Sequence, residues 1–387
     1  MVDDVYLHIG PPKTGTTYIQ SVLWDNPVTL MHQGVWLPLG SRRRQYDASA
    51  DLRGGLWATQ DLVATWDQLV ERVHAREGKA VVSEELLGAM SSPASLTRAV
   101  ESLAPARVHI VAAVRDYGRG VPANWQQALR ARSSRTYSEY LDILRDDPDD
   151  ELWKLQDPTR LFEKWEPYLQ SPRDFHVITV PKPGSPETLL WERFASVIGV
   201  DPDSVDIVDK VRNESLGVRE TELLRRFNQA LGDKFPLPGP YIDNVVKNLI
   251  RTGLRTAPGA IKIGVPEEHV EWLTERSDAL MESTRKLGEK VSLVGDPEDL
   301  RAAIVPATRS GEDLSDGEVL EVALETMIRQ LEGLREDQER RREDQERRRE
   351  LMQAAQPDSE ASGELGQERR SVKGRVKGAA KALLGRP

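Results

Sequence analysis

The sequence predicts a three-layer α/β fold, in which helices flank a central parallel sheet. The first observation is that short β-type runs recur along the chain, at Val5–Ile9, Ala80–Ser83, Val108–Val114 and Phe175–Val180. The second is that amphipathic helical patterns separate and follow these runs, at about 16–24, 59–76, 94–103, 118–131, 137–145, 159–169, 187–199, 218–232 and 267–287. Such alternation is typical of parallel sheets. Since ligands of these sheets bind at the carboxyl ends of the strands, the segments that follow the strands are the candidate sites.

Composition divides the chain into four segments. Residues 1–287 are predicted to form the α/β domain, and the Gly-, Asp- and Pro-bearing residues 288–315 a linker. Residues 316–353 are predicted to form a long charged helix. Its apolar residues between 320 and 334 step alternately by four and three, which is the a/d spacing of a coiled coil, and Arg335–Arg341 repeats letter for letter as Arg342–Arg348. This helix is expected either to pair as a homodimer or to stand alone as a solvated spacer.

Residues 354–387 are predicted to be a disordered basic tail. The last 22 positions, 366–387, carry seven Lys or Arg and one Glu, whereas the whole chain has a formal charge of −10. Part of this tail, residues 372–384, also fits a basic amphipathic helix, which would make a peripheral contact with an anionic membrane surface. A solvated tail is the alternative that the composition favours.

Bulk composition excludes several classes of protein. The 387 residues include no cysteine, which excludes disulfides and thiolate zinc sites, and the six histidines are scattered, so no metal is expected. The first strand begins by about residue 5, which leaves no room for a signal peptide, and no apolar run reaches the roughly 20 residues of a membrane span. A cytoplasmic protein is therefore expected. The acidic body argues against nucleic acid as a partner.

The loop that follows the first strand is the strongest functional signal in the chain. Residues Gly10–Thr17 read G-P-P-K-T-G-T-T and lead directly into a helix, whose unpaired N-terminal amides can bind an anion. Gly10 and Gly15 have the spacing of a nucleoside-triphosphate loop, but Thr16 stands where that loop has its lysine, and the lysine is Lys13. The alternative is an ordinary Gly-Pro turn before a helix.

This motif resembles the 5′-phosphosulfate loop of sulfotransferases that use 3′-phosphoadenosine 5′-phosphosulfate (PAPS). In those enzymes the loop has the sequence P-K-T/S-G-T-T. The resemblance implies a P-loop-like fold with PAPS as co-substrate and no metal. It further implies that the sulfuryl donor is bound by the loop and the helix start, at Pro12, Lys13, Thr14, Gly15, Thr16 and Thr17. Lys13 would stabilise the charge that develops on the bridging oxygen.

A second signature follows the strand Val108–Val114. Arg115 comes directly after the strand, where a guanidinium is well placed to bind a phosphate. The segment resembles the 3′-phosphate element of sulfotransferases, although Tyr117 replaces its proline and Ala123 its serine. The wording of Pro122–Gln126 further resembles actinobacterial sulfotransferase-like proteins. The alternative for Arg115 is a surface salt bridge with Asp116 or Glu139.

Other polar residues are candidates for the same phosphate. Arg119 follows Arg115 by one helical turn, and its alternative role is that of a helix-surface charge. The phosphate contact of the serine hydroxyl that the pattern lacks is expected instead from Asn124 or from the segment Arg212–Ser215, which ends in Ser215. The run Arg42–Arg44 is predicted to lie in a loop. Its side chains are expected either to be solvated or to bind an anionic or sugar acceptor.

The acceptor needs a base, and two glutamates end the strand Ala80–Ser83. In several sulfotransferase families a glutamate after the second strand has this role, and Glu85 matches the S-x-E-L wording best. Glu84 is the second candidate. His8 is a third, although its place inside the first strand favours a packed core histidine. Glu85 could alternatively cap the following helix or pair with an arginine.

These signals predict a PAPS-dependent sulfotransferase that transfers a sulfuryl group to a hydroxyl or amine of an acceptor, such as a carbohydrate or glycolipid. Two alternatives stay open. A P-loop nucleotide kinase or NTPase would share the loop architecture, but it is disfavoured by Thr16 in the position of the lysine. A catalytically inactive scaffold would retain the domain only to carry the C-terminal helix.

Overall fold

The computed structural model describes residues 2–55, 61–207, 216–235, 239–254 and 260–354, without the side chains of residues 243 and 350–354. The chain divides into two compact units, Met1–Ile328 and Arg329–Pro387. The first contains the sheet and the candidate site.

A six-stranded sheet forms the centre of the first unit, and every neighbouring pair of its strands is parallel. The strand order is β2-β3-β1-β4-β5-β6. The strands are β1 Val2–Gly10, β2 Val35–Trp36, β3 Gly78–Ser83, β4 Arg107–Val114, β5 Phe175–Thr179 and β6 Ser292–Val294. The predicted parallel sheet is thus confirmed. Three of the four predicted runs lie within its strands, and the fourth, Phe175–Val180, extends one residue beyond β5. The two shortest strands, β2 and β6, were not predicted, because two or three residues show no periodicity.

Helices connect the strands and cover the sheet. In chain order they are α1 Thr16–Asp25, α2 Pro27–His32, α3 Arg42–Arg53, α4 Trp66–His74, α5 Glu85–Gly88, α6 Pro93–Glu101, α7 Tyr117–Arg130, α8 Tyr137–Asp146, α9 Glu151–Gln156, α10 Pro158–Trp165, α11 Leu189–Ile198, α12 Val218–Leu231, α13 Gly239–Tyr241, α14 Glu267–Leu287 and α15 Asp316–Ala354. The segment Ile242–Gly253 is π-helical.

Both faces of the sheet are buried. Successive side chains of β1 point to opposite faces, and Val5, Leu7 and Ile9 belong to one apolar cluster whereas Tyr6 belongs to another. The cluster around Tyr6 includes apolar side chains of α1 and α11. Such two-sided burial explains why the central strands read as nearly continuous apolar runs.

The segment predicted as a linker, 288–315, instead adds an edge to the sheet. Its strand β6 pairs with β5, with Ser292 opposite His176. Beyond the strand, the Asp299 carboxylate accepts a hydrogen bond from the Thr179 hydroxyl at 2.8 Å and forms an ion pair with Arg193 at 2.6 Å. The linker prediction was wrong because it relied on the polar composition of the segment. The segment attaches to the sheet through a three-residue strand and a few polar side chains, and it has no long apolar face that the sequence would reveal.

The prediction that the run Arg42–Arg44 lies in a loop was also wrong. These residues form the first turn of helix α3. Ser41 is the N-cap residue, and its hydroxyl accepts a hydrogen bond from the Arg44 backbone N–H at 3.4 Å. The sequence pattern did not reveal the start of this helix, because its buried apolar residues begin only at Ala48.

The long C-terminal helix is confirmed as α15. Within the described ranges, no helix is both long and apolar enough to cross a bilayer. The predicted disordered tail and its alternative as an amphipathic helix fall on residues 355–387, which lie outside the described part of the chain.

Candidate functional site

A tightly turned loop joins β1 to α1 at the carboxyl edge of the sheet. We name residues Gly10–Gly15 the cradle loop. Its backbone enters the left-handed region three times, with φ of 84° at Gly10, 69° at Lys13 and 92° at Gly15. A Cβ atom on Gly15 would press against the Leu190 side chain, and the left-handed φ of 92° adds strain for any other residue, so glycine is favoured there. Lys13 is not a glycine, and such left-handed residues are concentrated at functional sites.

The threonine hydroxyls divide between the interior of the loop and its surface. The hydroxyls of Thr14 and Thr16 both donate to the Pro11 carbonyl oxygen, at 2.6 and 3.3 Å. Thr14 is fully buried and its side chain shapes the loop, so the donor contact that the sequence predicts for Thr14 stays a prediction. Thr17, in the first turn of α1, is exposed and open to a ligand.

The loop is held from outside by side chains of two other elements, one of which, Gln156, carries no sequence signal. The Gln156 side-chain amide of α9 donates to the Pro12 carbonyl oxygen at 2.8 Å. A guanidinium nitrogen of Arg115 donates to the Lys13 carbonyl oxygen at 2.9 Å, which joins the two signatures that the sequence predicts. The cradle loop and the end of β4 therefore form one site.

Three half-buried cations converge on this site, and we name Lys13, Arg115 and Arg130 the cation group. The Nε atoms of Arg115 and Arg130 are buried and have no hydrogen-bond partner among the described residues. Within the described ranges no carboxylate forms an ion pair with any member of the group, although the protein carries a net charge of −10. Buried cations are normally paired, so an unpaired group of cations is a candidate site for an anion.

Burial and repulsion from other cations lower the pKa values of all three members of the cation group. Burial, with repulsion from Arg130 and Arg115, lowers the pKa of Lys13 to about 8, against the opposing effect of Glu85. Burial, with repulsion from Arg119, lowers the pKa of Arg115 to about 10. Burial and the charge of Arg251 lower the pKa of Arg130. A bound anion would relieve this repulsion and raise all three pKa values.

Arg119 does not join the cation group. Its guanidinium forms an ion pair with Asp116 and donates to the carbonyl oxygens of Pro181 at 2.9 Å and Val180 at 3.5 Å. The same carboxylate accepts from the backbone N–H groups of Arg119 at 3.0 Å and Ala303 at 3.1 Å. Arg119 therefore links α7 to the residues that follow β5. The phosphate contact that the sequence predicts for Arg119 stays a prediction.

Asp116 is fully buried, and its substitution should destabilise the fold. We expect Asp116→Asn to lower the free energy of unfolding by about 1–3 kcal/mol, because charge-assisted hydrogen bonds to Arg119 are lost inside the protein. Urea unfolding measures this. The control is Asp146→Asn, which removes an exposed partner of Arg145 and should cost about 0–1 kcal/mol. Equal costs for the two variants would contradict the structural role of Asp116.

The alternatives for Arg115 are not realised in the described residues. Asp116 pairs with Arg119 instead, and Glu139 accepts from the Thr136 backbone N–H at 2.8 Å to cap α8. Asn124 is half-buried and donates to the Gly120 carbonyl oxygen at 2.9 Å, which engages part of its side-chain amide within its own helix. Ser215, the other candidate for the missing hydroxyl, lies outside the described residues.

Two glutamates stand beside the cradle loop at the carboxyl end of β3. Glu84 caps α5, accepting from the Leu86 backbone N–H at 3.5 Å, and burial with repulsion from Glu85 raises its pKa to about 7. Glu85 lies against the cradle loop, since its Cγ atom is 3.2 Å from where a Cβ on Gly10 would be. Burial raises the pKa of Glu85, whereas Thr16 and then Lys13 oppose the increase. Glu85 is therefore the carboxylate nearer the loop, and the capping role falls to Glu84.

His8 is a packed core residue. Its Nδ1 atom lies 2.7 Å from the Ser83 hydroxyl, and its ring makes an edge contact with Phe194. Complete burial lowers the pKa of His8 to about 3, so the ring is neutral. The position inside β1 had favoured this role over that of a base.

Arg130 and Gln156 are the site residues that the sequence did not suggest. Arg130 ends α7, and Gln156 ends α9, so neither follows a strand or belongs to a motif. In the part of the chain that the structure describes, no group of three or more His, Cys, Asp or Glu side chains is arranged to hold a metal ion.

Comparisons of the chain with known protein families, with curated proteins and with solved structures each returned no match. The function must therefore be inferred from the site itself, which combines a left-handed loop lysine, a helix N-terminus, two further cations and an adjacent carboxylate.

Proposed function

We propose that this protein is a PAPS-dependent sulfotransferase with a P-loop-like fold, which transfers a sulfuryl group to a hydroxyl or amine of an acceptor such as a glycan. The single observation that carries the proposal is the cation group, which is half-buried and has no described carboxylate partner. PAPS presents a phosphosulfate and a separate 3′-phosphate, and two anions of this kind suit a site with several unpaired cations.

Each part of the donor has a set of residues that fits it. The phosphosulfate would lie against the cradle loop and the first turn of α1, where backbone N–H groups and the Thr17 hydroxyl can donate. The 3′-phosphate would bind Arg115 and Arg130, whose guanidinium groups suit a planar, bidentate contact. Lys13 would lie between the two anions.

The chemistry follows from these positions. The acceptor oxygen or nitrogen forms a bond to sulfur as the bond between sulfur and the bridging phosphate oxygen breaks, which leaves negative charge on that oxygen. Lys13 stabilises the charge, and Glu85 takes the proton of the acceptor. Burial strengthens Glu85 as a base because it raises the pKa of the carboxylate. These steps require no metal ion.

A kinase or NTPase is the principal alternative, and it needs a carboxylate that is free to hold magnesium. The aspartate that follows a central strand, Asp116, is fully buried and engaged by Arg119 and two backbone N–H groups, so it is not free to hold magnesium. This arrangement disfavours the alternative.

Calorimetric titration tests the proposal. We expect adenosine 3′,5′-bisphosphate to bind without metal, and to bind at least about tenfold more tightly than adenosine 5′-monophosphate, because one charge-assisted contact contributes about 1.5–3 kcal/mol. Titration with ATP and magnesium is the comparison. Magnesium-dependent binding of ATP, with no binding of the bisphosphate, would overturn the proposal in favour of a kinase. Binding of PAPS without turnover on any panel of hydroxyl and amine acceptors would favour an inactive scaffold.

A further inference from the structure

Helix α15 has two separate apolar faces in the described residues. One face packs into the first unit through Val319 and Val322, which are 8% and 0% exposed, and Val319 contacts a small cluster with Val218 and Leu314. The other face carries large apolar side chains that are between 51% and 66% exposed, namely Leu320, Leu324, Met327, Ile328, Leu331 and Leu334. The domain's own core therefore does not account for the second face.

The exposed face has the geometry of a coiled-coil seam. Five of its residues alternate steps of four and three, which assigns Leu324 and Leu331 to heptad position a, and Leu320, Met327 and Leu334 to position d. At about 100° per residue these five side chains form one narrow stripe, well separated from Val322 on the buried face. A stripe of this kind pairs with a second stripe of the same spacing.

The charges that follow the stripe favour a second copy of this chain as the partner. In the same heptad frame, the exact repeat of Arg335–Arg341 assigns Asp337 and Asp344 to position g, and Arg342 and Arg349 to position e. In a parallel, in-register pair, position g of one helix faces position e of the next heptad on the other helix. Asp337 would then face Arg342, and Asp344 would face Arg349, in both directions across the pair.

An antiparallel pair would lose this complementarity, because it sets position g against g and e against e, so that like charges meet. From these two observations we propose that the protein forms a parallel, in-register homodimer through α15, with an apolar seam at 320–334 and a charged continuation through about residue 349. The continuation has Gln338 and Gln345 at position a and Arg341 and Arg348 at position d, so the apolar seam supplies most of the affinity.

Light scattering of the full chain across a range of concentrations tests the seam. We expect a mass approaching twice the 43.4 kDa of one chain, and at least about a hundredfold weaker dimer in the double variant Leu331→Gln with Leu334→Gln. Both residues are more than half exposed, so the fold of the monomer should not change. The matched control, Glu332→Gln with Glu336→Gln, changes positions b and f and should leave the dimer intact. A monomer at every concentration, or a dimer that survives the double leucine variant, would overturn the proposal.

Disulfide trapping tests the orientation, because the chain has no cysteine of its own. Gln338→Cys at position a should form an interchain disulfide under mild oxidation, since equivalent a positions meet in a parallel, in-register pair. Glu336→Cys at the outward position f is the control and should not. No trapping at Gln338→Cys in a sample that light scattering finds dimeric would overturn the parallel register.

Discussion

Replacing Lys13 with alanine should reduce sulfuryl transfer by about 10²–10³-fold at saturating donor, with little change in thermal stability. The reason is that Lys13 is proposed to stabilise charge that develops only as the bridging bond breaks. Its ammonium makes no described ion pair, so the fold loses little when it is removed. Turnover of PAPS and the unfolding temperature of the same preparations provide the two measurements.

The pH dependence of bisphosphate binding provides an independent check on Lys13. Since its pKa is lowered to about 8, the ammonium is charged below that pH and becomes neutral above it. The affinity of the wild-type protein for adenosine 3′,5′-bisphosphate should therefore fall as the pH rises above about 8. Lys13→Ala should bind more weakly and lose this step in the profile, whereas Lys13→Arg should retain charge throughout. A loss of stability in Lys13→Ala that matches its loss of activity would indicate a structural lysine instead.

The double variant Arg115→Ala with Arg130→Ala should bind adenosine 3′,5′-bisphosphate about 10²–10⁴-fold more weakly than the wild type. Each guanidinium is expected to contribute about 1.5–3 kcal/mol through a charge-assisted hydrogen bond to the 3′-phosphate. Binding of adenosine 5′-monophosphate should change much less, because that ligand lacks the 3′-phosphate. Calorimetry with both nucleotides measures the ratio of the two affinities.

Arg145→Ala is the control for the double variant, since Arg145 is exposed and pairs with Asp142 and Asp146 on the surface. It should leave both affinities unchanged. The single variants separate the contributions: Arg115→Ala tests a residue that the sequence suggests, and Arg130→Ala one that only the structure suggests. An unchanged affinity ratio in the double variant would remove both residues from the 3′-phosphate site.

The structure brings together those predicted site residues that closely follow a strand. Lys13, Glu85 and Arg115 each follow a central strand closely, and parallel strands bring their carboxyl ends to one edge, so the three lie together. Arg119 also follows a strand, but local spacing cannot say which acceptors its guanidinium will reach. Thr14 illustrates the same limit, because its hydroxyl is taken by the Pro11 carbonyl oxygen within the turn.

The sequence by itself determined the parallel α/β architecture, the tight loop between β1 and α1, and the long C-terminal helix. These depend on interactions between near neighbours, such as apolar periodicity and the conformational freedom of Gly10 and Gly15. Only the tertiary structure decided which cations stay unpaired. Arg119 is neutralised by Asp116 and held by a carbonyl oxygen 62 positions away, whereas the buried Nε atoms of Arg115 and Arg130 have no partner in the described part of the chain. A guanidinium bonds to whatever acceptors surround it in space, and packing between distant segments sets those surroundings.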